Sequence, residues 1–319
     1  MTDVTALSPL PVNGRRFPFP VPYGWFSVGR LDELPAEAVS PLRAFGRDLV
    51  LWRDGDDHHV FDAYCPHLGA HFGHGGRVEA GCLVCPFHEW TFAADGANTG
   101  IPYADRPNRK ARVRSYPTIV RNRQVLVWYH PDESVAPMWE IPEFLPEQAV
   151  ECMRLTTRIN SAWQEIAENS VDMAHFKYVH GVSRIADIGE MTIDGWFRRV
   201  RSTQAFQTSK GELEGQIESS SYGPGVGAVQ FTLLSRVTLF SAVTPLDDGA
   251  VDVRFTMFYP EGDEIAGKIA GAFGAEIARQ FAEDLPIWEH KRYQPSPALA
   301  PSEKAITEFR KWCSQFYVR

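Results

Sequence analysis

The chain has 319 residues, 44% hydrophobic and 23% charged, with a formal charge of −8, which is enough material for two cores. An acidic chain with no basic cluster interleaved with aromatics argues against a nucleic-acid partner, and no apolar run reaches the ~18 residues of a membrane span. Five cysteines in no disulfide-like pattern point to a reducing, cytoplasmic setting.

From the N-terminus, Arg15-Arg16 precedes a proline-rich stretch rather than an apolar one, so no export signal is expected. Short strands are predicted at 48–52, 59–61, 78–85 and 90–92, the last ending at the turn signal Asp95-Gly96. Between them lie Cys65-Pro66-His67 and, after seventeen residues, Cys85-Pro86-Phe87-His88. Two thiolates and two imidazoles in paired loops suit a Rieske [2Fe-2S] cluster, in which one iron takes Cys65 and Cys85 and the other takes His67 and His88. A zinc knuckle would leave Cys82 or a histidine unused. A Cys82-x-x-Cys85 dithiol should open a helix, whereas Cys82 stands in the apolar run Cys82-Leu83-Val84 and reads as a small core residue. His71 and His74 fit neither ligand pair and read as loop or surface histidines. Gly73-His74-Gly75-Gly76 neither follows a strand nor opens a helix, so no dinucleotide fold is expected, and electrons must come from another protein.

Pro131-Asp132-Glu133-Ser134 and the proline-containing stretch to Pro146 read as a linker. The expected division is a domain over 18–130 and a second over 131–319. A helical stretch from about Ser161 leads into Asn169-x-x-Asp172-x-x-His175-x4-His180. Five residues turn a helix by about 500°, leaving the histidines about 140° apart, so the helix must end or distort between them. Gly181 supports a break there. The His-Glu-x-x-His pattern of a zincin is absent, because phenylalanine follows His175. What remains is a 2-His-1-carboxylate site for Fe(II), with the carboxylate from the segment around Glu283, Asp284 and Glu289. Asp284 is the first candidate, and position in sequence does not settle the choice.

Further on, 196–206, 229–234, 238–244 and 251–259 read as antiparallel strands, and 263–284 as a long helix. Ile265, Ile269, Phe273, Ile277 and Phe281 recur every four residues along that helix, beside a small face of Gly267, Gly271, Gly274, Ala275 and Ala278. The small face admits two readings, close packing on a sheet or room for a bulky substrate. Phe176, Tyr178 and Phe240 are candidates to line a pocket, or simple core.

With these motifs in place the chain resembles the oxygenase component of the Rieske non-haem iron oxygenases, from about Tyr23 to Arg292. Within that family it is most similar to the 3-ketosteroid 9α-hydroxylases. That closer match is carried by Cys85-Pro-Phe-His-Glu-Trp90, Ile101-Pro-Tyr-Ala104 with Ala111-Arg112, Asp172-Met-Ala-His175-Phe176 and Glu283-Asp284-x-x-Ile287-Trp288. The resemblance implies an α+β chain, a mostly antiparallel β Rieske domain followed by a START-like helix-grip catalytic domain. It implies that His175, His180 and Asp284 bind the catalytic iron and that Asn169 sits near it. It further implies that Asp172 hydrogen-bonds His175 and reaches His88 of a neighbouring subunit, so that electrons cross between subunits of a ring, usually a homotrimer. The implied partner is a separate NAD(P)H-dependent flavin and iron-sulfur reductase, or a ferredoxin. The implied activity is a monooxygenase hydroxylating a steroid or a similar large alicyclic compound. Alternatives are an O- or N-demethylase, a hydroxylase of small aromatics, or a non-enzymatic Rieske electron carrier.

Overall fold

The computed structural model describes residues 16–35, 37–182, 188–208 and 211–318; Arg15 and part of the segment after Gly181 lie outside them. The chain divides into two units, Trp25–Glu140 and Met1–Gly24 with Ile141–Arg319.

The first unit holds β1 (Gly24–Arg30), β2 (Val39–Ala44), β3 (Arg47–Asp54), β4 (Asp57–Asp62), β5 (Arg77–Glu79), β6 (Cys82–Val84), β7 (Thr91–Phe92), β8 (Asn98–Gly100), β9 (Ser115–Tyr116), β10 (Thr118–Arg121) and β11 (Gln124–Tyr129). They form small sheets of order β1-β11-β10, β2-β3-β4-β9 and β5-β6-β7-β8. Two-residue turns set the register of three hairpins: Phe45-Gly46, Ala80-Gly81 and Asn122-Arg123 all have positive φ at both positions. Such turns match the right-handed twist of the flanking strands. Ala80-Gly81 therefore splits the single strand expected over 78–85 into β5 and β6. A core of Val50, Trp52, Phe61, Phe72, Leu83 and Phe92 backs the loops that carry Cys65 and Cys85.

The expected boundary at residue 130 differs from this division. Trp128 Nε1 donates to Val135 O at 3.1 Å, and Trp25 Nε1 donates to Trp139 O at 2.8 Å. The segment after β11 is thus tied back to the first unit as far as residue 140. At the other end Phe19 stacks on Tyr317 at 4.7 Å and Tyr23 N donates to Phe316 O at 2.8 Å, which binds the N-terminal segment to the second unit.

The second unit is a seven-stranded antiparallel sheet of β12 (Ala149–Ile159), β13 (Ile188–Asp194), β14 (Phe197–Thr208), β15 (Gly211–Tyr222), β16 (Val226–Thr232), β17 (Arg236–Pro245) and β18 (Val251–Pro260), in the order β12-β18-β17-β16-β15-β14-β13. Between β12 and β13 come α1 (Trp163–Ala167), a 3-10 turn (Glu168–Ser170) and α2 (Met173–Tyr178). After the sheet come α3 (Glu264–His290) and α4 (Lys304–Cys313). Strands β12, β13 and β15 were not anticipated. Only β15 has a glutamate- and serine-rich sequence of low β propensity; β12 alternates half-buried and exposed positions and carries Val150, Thr156, Thr157 and Ile159, a strand pattern of its own.

Asp263 caps α3, its side chain accepting from Ala266 N at 2.8 Å. The helix then runs past the expected end at Asp284, through Pro286, to His290. Pro286 has no N–H to donate to the carbonyl of Ala282, four residues earlier, and Ala282 is exposed. Ala266 and Ala270 are buried against Val237, Leu239 and Met257 of the sheet. At Gly274 a Cβ would stand 2.9 Å from the Met153 Cβ. Of the small face, Gly267 and Gly274 meet Tyr259 and Met153 of the sheet, whereas Gly271 and Ala275 are exposed, so close packing accounts for only part of it.

Candidate metal centres

Two loops of the first unit share one backbone design. Cys65 N donates to Ala70 O and Cys85 N to Trp90 O, both at 2.9 Å, while Gly69 N returns to Cys65 O and Glu89 N to Cys85 O. The fifth residue of each loop has positive φ, Gly69 at 76° and Glu89 at 55°, and Arg77 holds the Glu89 carboxylate at 3.1 Å. His67 sits two residues after its cysteine and His88 three, yet the loops bring the imidazoles together with ring centroids 4.8 Å apart. Trp90 stacks on His67 at 4.3 Å, with its Nε1 donating to Tyr103 Oη at 2.8 Å.

The donor set fits a Rieske cluster. Cys65 and Cys85 are both buried, and burial, with the neighbouring Cys85 sulfur adding to it, pushes the Cys65 thiol up to about 12. His88 Nδ1 is buried with no protein partner, an orphan that a metal ligand bond would satisfy. Cys82 lies in β6 with its Sγ 3.6 Å from Thr99 Oγ1, outside the ligand loops. His71 Nδ1 accepts from Gly73 N at 3.0 Å within its own loop, and the His71 ring lies 4.6 Å from that of His74.

In the second unit, α2 starts at Asp172, whose Oδ1 accepts from His175 N at 3.2 Å, and ends at Tyr178, before His180. Gly181, at φ 71°, turns the chain there. The break lets both histidines face one point: ligand atoms of His175, His180 and Asp284 all lie within 4.8 Å of one another. Asp284 comes from α3, with His180 Nε2 3.4 Å from its Oδ1. Glu289, five residues further along α3, points about 140° away and is not part of the cluster.

The surroundings fix both imidazole tautomers. His175 Nδ1 bonds to the carbonyl oxygen of Asp172, which only accepts, so Nδ1 carries the proton. His180 Nδ1 bonds to the Glu283 carboxylate at 2.9 Å, with the same consequence. Each ring then presents an unprotonated Nε2, the form that binds a metal. Asn169 Nδ2 donates to Asp284 Oδ2 at 2.9 Å, leaving Oδ1 toward the histidines. Burial holds His175 below the ordinary imidazole value and raises Asp284 above the ordinary carboxylate value. A bound cation would favour the unprotonated form of both, so these residues fit a divalent iron.

By sequence Glu283 is a rival to Asp284 for the metal, whereas the structure gives it His180. Its other oxygen accepts from Arg279, which also reaches His180 O at 3.3 Å. Next to Asn169 in the chain, the largely buried Glu168 makes a two-bond pair with Arg310 of α4 at 2.6 and 2.8 Å. A carboxylate beside a ligand carboxylate was the one signal in the sequence for Glu283; nothing local marked Arg310.

A cavity of about 1140 Å³ opens onto His175, His180 and Asp284. Its walls include Val229, Leu239, Phe255, Ile269, Phe273 and Ile277, from both the sheet and α3. Of the three aromatic candidates, Phe176 lines it, Tyr178 is 77% exposed, and Phe240 is fully buried core.

Residues 24–117 match the Rieske [2Fe-2S] domain, and residues 127–317 match the 3-ketosteroid 9alpha-hydroxylase C-terminal domain. The chain is 31% identical to cholesterol 7-desaturase nvd of Bombyx mori over 95% of its own length and 71% of that protein's. It is 28% identical to the 3-ketosteroid-9-alpha-monooxygenase oxygenase component of Rhodococcus rhodochrous, covering 92% of this chain and 83% of that one. Among solved structures, NdmA of Pseudomonas putida CBB5 with caffeine superposes with a TM-score of 0.74 at 18% identity, over 91% of this chain and 89% of that one, a likeness of fold.

Proposed function

Because the chain belongs to the Rieske non-haem iron oxygenases whose catalytic domain is that of the 3-ketosteroid 9α-hydroxylases, we propose that it is the terminal oxygenase that hydroxylates a steroid or similarly large alicyclic substrate. The observation that carries the substrate class is the cavity, whose volume of about 1140 Å³ and apolar walls suit a large rigid hydrocarbon body beside the three ligand side chains. The non-enzymatic electron carrier falls away, since the second unit is a catalytic domain of this family. The demethylase of small compounds loses ground to the cavity size, because a small aromatic would leave most of that space unfilled.

In this reading Cys65, Cys85, His67 and His88 hold the [2Fe-2S] cluster, and His175, His180 and Asp284 hold the mononuclear iron. When bound, these groups supply one-electron delivery and the activation of dioxygen. The chain's own residues prepare the site. The Asp172 carbonyl and Glu283 keep the Nδ1 protons on the two histidines, and Asn169 orients Asp284. The apolar walls exclude water and hold one C–H of the substrate near the open face of the cluster. The overall change consumes O2, two electrons and two protons; one oxygen atom enters the C–H bond and the other leaves as water.

The electrons come from a separate NAD(P)H-dependent reductase or a ferredoxin, and pass between subunits of a homotrimer from His88 of one to Asp172 of the next. What supports this route is the exposed apolar rim around the cluster loops, Leu68, Phe87 and Tyr103, each at least 60% exposed. Such rims mark interaction sites. Asp172, half-buried beside His175, offers the carboxylate on the other side.

The test is a single turnover. Iron-loaded protein is reduced anaerobically, exposed to 18O2 with a panel of steroids and methoxy- or alkyl-aromatics, and the products are weighed by mass spectrometry. A steroid gaining one labelled oxygen supports the reading. A steroid that instead loses two hydrogens without label makes the enzyme a desaturase, and demethylated aromatics beside untouched steroids overturn the substrate class.

A further inference from the structure

Arg198, on β14, is 1% exposed and lines the cavity that opens onto the ligand cluster. Its Nη2 donates to Ser170 Oγ at 2.8 Å and to Ser221 Oγ at 3.0 Å, while its Nε and Nη1 have no hydrogen-bond partner. Its guanidinium lies over the rings of Phe309 and Trp312, 4.9 and 5.3 Å from their centroids. No carboxylate pairs with it among the described residues. The nearby Cys313 thiol is pushed well above its usual value by burial and stays neutral. Burial lowers Arg198 itself only to about 10, so it remains a cation at neutral pH. Aromatic faces compensate a buried guanidinium in part; burying a charge in full requires an anion.

The cavity shows where that anion fits. Ser170 spends its proton on Ala167 O at 2.6 Å, but Ser221 accepts from Arg198 and its own hydrogen has no acceptor among the described residues. Both serines line the cavity, as does the exposed Lys268, which also has no carboxylate partner among the described residues. Of the lining carboxylates, Glu276 is held by Arg279 and Asp284 belongs to the ligand cluster. The uncompensated charge of the wall is therefore positive.

We propose that the cavity takes an apolar substrate carrying a carboxylate, whose oxygen accepts the free hydrogen of Ser221 while the Arg198 guanidinium behind that serine supplies the opposite charge. This rests on the reading that the cavity is the substrate site, and it narrows the substrate from a neutral steroid to an acidic one.

The test is calorimetric binding to the iron-loaded protein, without oxygen, of two matched pairs. One pair is a steroid acid with its primary amide, and the other a long-chain aliphatic acid with its amide. The steroid acid is expected to bind at least about tenfold more tightly than its amide, and the ratio to fall to about one in Ser221→Ala and Arg198→Met. Should Arg198→Met fail to fold, Ser221→Ala alone carries the comparison. Amide binding as tight as acid binding, or an acid preference that survives in Ser221→Ala, overturns the proposal and leaves the steroid reading intact. An acid preference confined to the aliphatic pair keeps the proposal and removes the steroid reading, and binding by none of the four compounds overturns both.

Discussion

Glu283 Oε2 lies 2.9 Å from His180 Nδ1, while its sequence neighbour Asp284 meets His180 Nε2 at 3.4 Å across the same ring. Two adjacent carboxylates of one helix thus address opposite edges of one imidazole. One holds the proton in place and the other shares the metal position. Replacing Glu283 by Gln removes the charge that anchors the Nδ1 proton. Iron affinity is expected to fall by about 10–100-fold, the usual effect of losing such a partner. Titration of the mononuclear site with Fe(II) checks this, with the Rieske cluster's spectrum unchanged as the control.

Asp172 separates structural from electronic roles. Its side chain caps α2 through His175 N, and Asn caps a helix about as well as Asp. Asp172→Asn should therefore fold and keep both metals, yet lose about 100-fold in turnover if the proposed route runs through its carboxylate. Normal turnover by a metal-replete Asp172→Asn would remove the intersubunit route. Asp172→Ala adds the lost cap, about 1 kcal/mol of stability, read from its thermal unfolding.

Two glycines of α3 should respond with opposite sign. A Cβ at Gly274 would stand 2.9 Å from Met153 Cβ, whereas at Gly271 it would meet nothing within 4 Å. Gly271→Ala is expected to stabilise the protein by about 0.5–1 kcal/mol through helix propensity. Gly274→Ala pushes α3 off the sheet and should cost about 1–3 kcal/mol. Thermal unfolding of both variants checks the pair, and equal shifts would contradict the helix-to-sheet contact described above.

The buried Glu165 gives the protein a pH signature. Its side chain is 1% exposed, and burial raises it above the ordinary carboxylate value although Lys291 Nζ lies 2.7 Å away. An acid raised in the folded state binds its proton more tightly there than when unfolded. Its contribution to stability is therefore fully present below the unfolded value and is lost as pH rises through the folded one. Glu165→Gln, which keeps the neutral shape at every pH, should thus gain on the wild type as pH rises from about 4 toward 7. Melting temperatures of the two proteins across that range check the sign, and a gap that narrows with rising pH would contradict it.

The sequence by itself determined the chemistry. The candidate donor set in Cys65-x-His67 and Cys85-x-x-His88 is a matter of residue type and spacing. The five-residue gap between His175 and His180 likewise demanded a broken helix, and Gly181 supplied the break. The grip of the sheet on α3 was legible only in part as small residues at helical spacing, since Gly267 and Gly274 meet the sheet and Gly271 of the same face meets nothing. Tertiary structure alone decided what depends on residues far apart in the chain. Asp284 stands opposite the histidines because α3 lies on a sheet assembled from seven strands between Ala149 and Pro260. Glu283 became the partner of His180, Arg310 the support of Glu168, and Arg198 a cation without a counter-charge among the described residues, for the same reason. Local spacing fixes which atoms can bind a metal. Burial and long-range packing fix which charges face one another, and a linear pattern does not encode those distances.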